Sequence, residues 1–382
     1  MEHKKILLAT RPLVPPWDEA SKNFAYFLAK SVNVPEISLH ILTEAKEPRL
    51  ENLPTSVVEH PIYSNQYGKE RAHYPFFQKA RLPIYLFFQS RAYDIIHYVF
   101  TPTLFNAVII RYFTPFLGKR VQTVATFRNQ RYPKKLLKYL FFGNTIITYT
   151  ERTKKQLEEI GIKNVTRVYP GIDLERYSPQ PKNQSILTNL GLKPEHFVVI
   201  YPGEYVRLGA TDMLTETFFQ YFQEHPETTL RFVFACRIKN EADEKKKWEI
   251  HRKFAEAKLL DYVAFSDTIT DMAGLYNTAD VVIFPVGNLN GKFDVPLIII
   301  EAYACGKPVI LSDLPQFSEF ANNDICVTIP TDSGEKLIES LAYLKDNSEE
   351  RARLGENARR FVKDHFDLKN TAKQYEEIYS NL

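Results

Sequence analysis

At 382 residues, with 44% hydrophobic and 25% charged side chains, the chain is long enough for two sizeable cores and has ordinary globular composition. Three cysteines (Cys236, Cys305, Cys326) without CxxC spacing exclude a disulfide framework and a zinc ribbon, and favour a reducing compartment. The formal net charge of +3 conceals an asymmetry: residues 1–180 hold 26 Lys+Arg against 15 Asp+Glu, leaving 23 against 31 for residues 181–382. No apolar run reaches the roughly 18 residues of a membrane span, and MEHKKILLAT enters a strand without a signal-peptide core, so a cytosolic protein that spans no membrane is expected.

The first half alternates strand and helix. Lys5–Ala9 reads as an apolar strand, Ser21–Ser31 has helical spacing, and Glu36–Leu42 alternates as a strand. Asp94–Tyr98, Gln122–Thr126 and Thr145–Tyr149 are further short strands, each ahead of a helix-like segment. Thr150 is placed to cap a helix running to Gly161, and Asn164–Tyr169 is a strand closed by Pro170-Gly171. Residues 61–150 carry 13 basic side chains and two acids, Glu70 and Asp94, interleaved with aromatic clusters such as Tyr85-Leu86-Phe87-Phe88 and Tyr139-Leu140-Phe141-Phe142. That mixture suits an anionic membrane surface; a core helix with a solvated basic face is the alternative. No nucleic-acid module is present, so no nucleic-acid partner is expected.

In the second half Phe197–Tyr201 is a strand entering Pro202-Gly203-Glu204-Tyr205-Val206-Arg207, and Leu230–Ala235 is a strand ending at Cys236-Arg237-Ile238-Lys239. Cations at the carboxyl ends of strands are placed to meet an anionic ligand. A charged helix over Ala242–Lys258 and a strand over Tyr262–Phe265 lead to Ser266–Asp271, where Thr270 or Asp271 would cap a helix over Met272–Thr278. Val281–Phe284 then stops at Pro285, and a loop with two glycines opens into PLIIIEAYACGKPVILSD. This is a βαβ unit with one carboxylate, Glu301, inside an apolar helix. A helix N-terminus offers unpaired N–H groups to a phosphate, and an unpaired carboxylate in that helix would be costly, so Glu301 either bonds a ribose diol or belongs to a buried salt bridge or a helix cap. Phe361–Leu382 is amphipathic and closes the chain.

PLIIIEAYACGKPVILSD, together with VYPGIDLERYSP at Val168–Pro179, resembles the signatures of the retaining glycosyltransferases of family 4. The resemblance implies an α/β chain of the GT-B type: two Rossmann-like βαβ domains facing a central cleft, with the C-terminal helix crossing back to the first. The implied division is 1–180 for an acceptor-binding domain, 181–362 for a nucleotide-sugar-binding domain and 363–382 for the returning helix. It implies transfer of a hexose from a UDP- or GDP-linked sugar to a glycan or lipid-linked acceptor hydroxyl, without a resident cofactor or a metal. The donor site implied is Gly203, Arg207, Arg237, Lys239, Thr268, Ile269, the amides of Val295 and Leu297, and Glu301 on the ribose. Arg207, Asp294 and Arg128 are the implied groups at the reacting centre.

Three departures from the family pattern leave an alternative open, a GT-B-like protein that binds a nucleotide sugar without transferring it. Phe293, between Lys292 and Asp294, stands where the family has its first Glu. Arg11-Pro12-Leu13 replaces the glycine pair after the first strand, and Thr126-Phe127-Arg128-Asn129 stands where a His is frequent. His97 reads as a core or strand-end histidine.

Overall fold

A computed structural model describes residues 3–15, 20–45, 50, 53–64, 76–99, 103–114, 116–127, 132–266, 271–290 and 292–382. Arg128, Thr268, Ile269 and Gly291 lie outside the described residues. The chain forms two compact units, Met1–Gly171 with Phe293–Val295 and Leu368–Leu382, and Ile172–Lys292 with Pro296–Asp367.

The first unit is a seven-stranded parallel sheet in the order β3-β2-β1-β4-β5-β6-β7. Its strands are β1 (Lys4–Ala9), β2 (Ile37–Glu44), β3 (Val58–Tyr63), β4 (Ile95–Val99), β5 (Lys119–Val124), β6 (Thr145–Thr148) and β7 (Val165–Arg167). The crossovers are α1 (Ala20–Ser31), α2 (Phe76–Gln89), α3 (Leu104–Phe113), α4 (Lys134–Leu137) and α5 (Glu151–Glu159). β1 and β4 are apolar on both faces, as strands covered by helices on both sides must be. Thr150 caps α5 as its spacing predicts, its hydroxyl accepting from Thr153 N–H at 3.1 Å. β3 is absent from the sequence reading because Glu59, His60 and Pro61 break its alternation. A proline and polar side chains are tolerated there because β3 is an edge strand.

The second unit is a six-stranded parallel sheet in the order β10-β9-β8-β11-β12-β13. Its elements are α6 (Gln184–Asn189), β8 (Phe197–Tyr201), α7 (Thr211–Glu224), β9 (Leu230–Ala235), α8 (Glu241–Glu256), β10 (Val263–Ser266), α9 (Met272–Thr278), β11 (Val281–Phe284), α10 (Leu297–Ala304), β12 (Val309–Ser312), β13 (Val327–Ile329), α11 (Gly334–Asp346) and α12 (Ser348–His365). Every residue of β8, β11 and β12 is buried. Gly306 ends α10 in the left-handed region (φ 68°), and a Cβ on Gly355 of α12 would stand 2.1 Å from the Gly306 carbonyl oxygen, so α10 and α12 pack backbone to backbone.

α13 (Leu368–Ser380) belongs to the first unit, where it packs on α1. The amphipathic run read as one segment is two helices, broken at Phe366-Asp367, where Ile172 N–H donates to the Phe366 carbonyl. Tyr379 brings its hydroxyl to His97 Nδ1 at 2.7 Å, and Thr123 Oγ1 lies 2.7 Å from His97 Nε2. His97 is fully buried, and burial pushes its imidazole down to about 3, so it is a neutral core histidine.

Candidate functional site

The order β9-β8-β11-β12 places a topological switch between β8 and β11, because the chain leaves β8 toward β9 and leaves β11 toward β12. Crevices at the carboxyl ends of strands flanking such a switch are where open α/β sheets bind ligands. The loop after β8 supplies Gly203, Glu204 and Arg207, the loop after β9 supplies Lys239, and the loop after β11 supplies Lys292.

These loops converge on one carboxylate. Glu204 is buried at 3% exposure. The Arg207 guanidinium forks onto it, Nε to Oε2 and Nη2 to Oε1, both at 2.5 Å. Lys239 Nζ reaches Oε1 at 2.6 Å and Lys292 Nζ reaches the same oxygen at 2.8 Å. Burial alone would raise the Glu204 carboxyl; the Arg207 bond and the Lys292 and Lys239 ammonium groups outweigh it and hold it at about 2. Burial pulls the Lys292 ammonium below its ordinary range, and Glu204 opposes that. Gly203 lets the loop turn tightly: a Cβ there would lie 2.1 Å from the buried Tyr201 ring.

Of the residues read as phosphate ligands, Arg207 and Lys239 are therefore brought together, and Arg237 is exposed in the loop after β9. Lys292, which the sequence offers as a contact for a phosphate or an acidic sugar, joins Arg207 and Lys239, and Glu204 was missing from that set. The i,i+3 spacing of Glu204 and Arg207 was the available signal for Glu204.

The second group is at α10. Glu301 is its fifth residue, and Tyr276 of α9 donates its hydroxyl to Glu301 Oε2 at 3.0 Å. The Tyr177 hydroxyl is a second hydrogen-bond partner of the same carboxyl. Burial raises Glu301 to about 7, with the two tyrosines and Arg176 pulling the other way. The partners of the Glu301 carboxyl are thus two tyrosine hydroxyls, neither a buried salt bridge nor a helix cap. The N-cap of α10 is Pro296, with no side-chain cap, so the first-turn amides including that of Leu297 carry the positive end of the helix dipole.

Phe293–Val295 belongs to the first unit. Asp294 N–H donates to the Ala125 carbonyl at 3.0 Å, and its Oδ2 accepts from Thr153 Oγ1 at 2.5 Å. The Phe127 amide lies 3.4 Å from Asp294 Oδ1. Val295 is fully buried. Among the described residues no group of three or more His, Cys, Asp or Glu side chains could hold a metal ion.

Two parallel-sheet units of this kind, with the C-terminal helix returned to the first, define the GT-B class of α/β proteins. The crystal structure of Anabaena HepE in complex with UDP-glucose superposes over 100% of both chains with TM-score 0.74 at 18% identity, which establishes the fold. The sequence model "Glycosyl transferases group 1" matches residues 183–361 and "Glycosyltransferase Family 4" matches residues 23–176. The chain belongs to the group 1, family 4 glycosyltransferases. A D-inositol 3-phosphate glycosyltransferase of Streptomyces bingchenggensis is 29% identical over 39% of this chain and 33% of its own length. The O-antigen biosynthesis glycosyltransferase WclY of Escherichia coli is 28% identical over 33% of each. The chain thus spans about a third of the length of the curated relatives it matches.

Proposed function

We propose that the protein transfers a hexosyl group from a nucleoside diphosphate sugar to an acceptor hydroxyl, with retention at the anomeric carbon. The observation that carries this is the convergence of Arg207, Lys239 and Lys292 on Glu204 at the switch point of the second sheet. Cations from three strand ends suit a diphosphate, whose negative charge grows as the bond from the anomeric carbon to its oxygen breaks. The acceptor oxygen bonds to that carbon on the face the diphosphate leaves, and its proton passes to a diphosphate oxygen. The protein's part is positioning and charge stabilisation, for which these cations suffice without a metal. Glu301, in the middle of α10, takes the ribose hydroxyls, and the Leu297 amide, in its first turn, faces phosphate. UDP is the favoured nucleotide, because HepE was crystallised with UDP-glucose. GDP is the other candidate.

The acceptor we propose is a lipid-linked or cell-envelope glycan, met from the cytoplasm at an anionic membrane surface. WclY, named for O-antigen biosynthesis, and the basic aromatic composition of residues 61–150 support that part. Incubation with UDP- and GDP-sugars, with and without membrane lipid extract, tests the whole reading. Nucleotide release that requires the extract supports it. Binding of a nucleotide sugar with no release supports the non-transferring alternative, and no binding of any nucleotide sinks both.

A further inference from the structure

We propose that the outer faces of α2 and α3, continued by Leu117, Lys119, Lys135, Leu136, Lys138 and Tyr139, are a docking surface for an anionic lipid bilayer. The inference deepens the membrane-acceptor part of the proposed function by naming the surface that meets the lipid. Both helices are apolar on two sides. Their inner sides (Leu86 on α2, Ala107 and Ile110 on α3) are buried in one core cluster with Tyr93, Ile96 and Tyr98. Their outer sides hold large apolar groups at helical spacing: Ile84, Phe87 and Phe88 on α2, and Phe105, Val108 and Tyr112 on α3. Phe88 is 73% exposed and Tyr112 75%, and Leu117 beyond α3 reaches 89%. α2 packs beside α3, and α3 beside the 3-10 turn Lys138–Leu140, so the outer sides form one surface.

Single exposed apolar groups are ordinary; a cluster is not. Among the described residues, nine of the fourteen exposed large hydrophobics fall between Ile84 and Tyr139, about a seventh of the chain. An open cavity of about 410 Å³ indents the surface, lined by Ile62, Arg81, Ile84, Tyr85, Phe88 and Gln89, with room for part of an acyl chain.

Charge selects the occupant. Exposed Lys79, Arg81, Arg91, Lys119, Lys135 and Lys138 accompany the apolar groups. Residues 71–150 contain one acid, Asp94, whose carboxylate accepts from the Lys5 N–H. A second copy of the chain would set this positive surface against itself, whereas an anionic bilayer offers headgroup charge to the cations and an interface to the aromatics.

The test is co-sedimentation of the full chain with phosphatidylglycerol/phosphatidylcholine vesicles and with pure phosphatidylcholine vesicles. The protein is expected to sediment with the anionic vesicles, to be released by salt, and to remain in solution with the neutral ones. Combined Phe88→Ser, Tyr112→Ser and Leu117→Ser should abolish binding. Combined Lys135→Gln and Lys138→Gln should weaken it about thirtyfold, at about 1 kcal/mol per cation near a membrane. Combined Trp248→Ser and Tyr343→Ser, exposed positions of the second unit, should change nothing. An unchanged melting temperature, and an unchanged shift with UDP, certify that the variants fold and keep the nucleotide site. The proposal is overturned if the wild type ignores anionic vesicles, binds neutral ones equally, or keeps its binding in the triple-serine variant. It is also overturned if that variant's only change is loss of self-association on gel filtration. UDP stabilisation without vesicle binding removes this inference alone; absence of UDP stabilisation counts against the donor reading.

Discussion

Replacing Glu204 by Gln keeps the shape of the side chain at the centre of the cation cluster and removes its charge. A carboxyl held at about 2 instead of 4.5 has its charged form favoured by about 3 kcal/mol. Arg207 and Lys239 are 39% and 37% exposed, so water screens part of this and about 2 kcal/mol is the expected net loss. For a unit of this size that corresponds to a fall in melting temperature of about 4–8 °C near neutral pH. The folded value lies below the ordinary one, so the stability is fully present above pH 4.5 and is lost as pH falls toward 2. The gap between wild type and variant should therefore close across that window. UDP supplies the missing negative charge, so it should raise the melting temperature of E204Q more than that of the wild type. Thermal unfolding of both proteins, with and without UDP at several pH values, reads all of this. Equal stability, or a UDP shift no larger in E204Q, would refute the assignment of this cluster to the diphosphate.

Three further outcomes follow from the same geometry. Burial raises Glu301 to about 7, so ionisation is disfavoured in the fold and wild-type stability should fall as pH climbs from 4.5 through 7. E301Q should lack that fall and bind UDP about tenfold more weakly at pH 8, the loss of one charged hydrogen bond; calorimetry showing equal affinities would exclude the ribose contact. Gly203→Ala presses a methyl group into the buried Tyr201 ring and should cost about 1–3 kcal/mol in urea unfolding; an unshifted midpoint would contradict the tight turn. Tyr379→Phe leaves His97 Nδ1 buried without its hydroxyl partner, at a cost of about 1–3 kcal/mol with UDP affinity unchanged. A change in UDP affinity instead would mean that α13 influences the donor site.

Local pattern carried most of the architecture. The runs Phe197–Tyr201 and Val281–Phe284 are buried on both faces, and continuous apolar runs between turn residues declare that in the sequence. Asp271 caps α9, accepting from the Gly274 N–H at 2.9 Å, which an acidic residue before a short apolar run foreshadows. β13, three residues long, was not read from the sequence.

The candidate site was legible in part for a related reason. Side chains at strand ends are marked by their neighbours, so Arg207 and Lys239 stood out. Contacts that join distant loops leave no local trace. Lys292 meets Glu204 across 88 positions (292 − 204), and Asp294 meets Thr153 across 141. Tyr276 reads as a helix residue until the fold brings it to Glu301.

The central claim is that the cations around Glu204 hold the diphosphate of a sugar donor. It is tested most directly by calorimetric titration of the wild type and of combined Arg207→Ala and Lys239→Ala with UDP and with uridine. The predicted result is UDP binding by the wild type that falls on the order of a hundredfold in the variant, with uridine binding nearly unchanged, because two charge-assisted contacts to phosphate are lost. UDP binding that survives both substitutions would contradict the account.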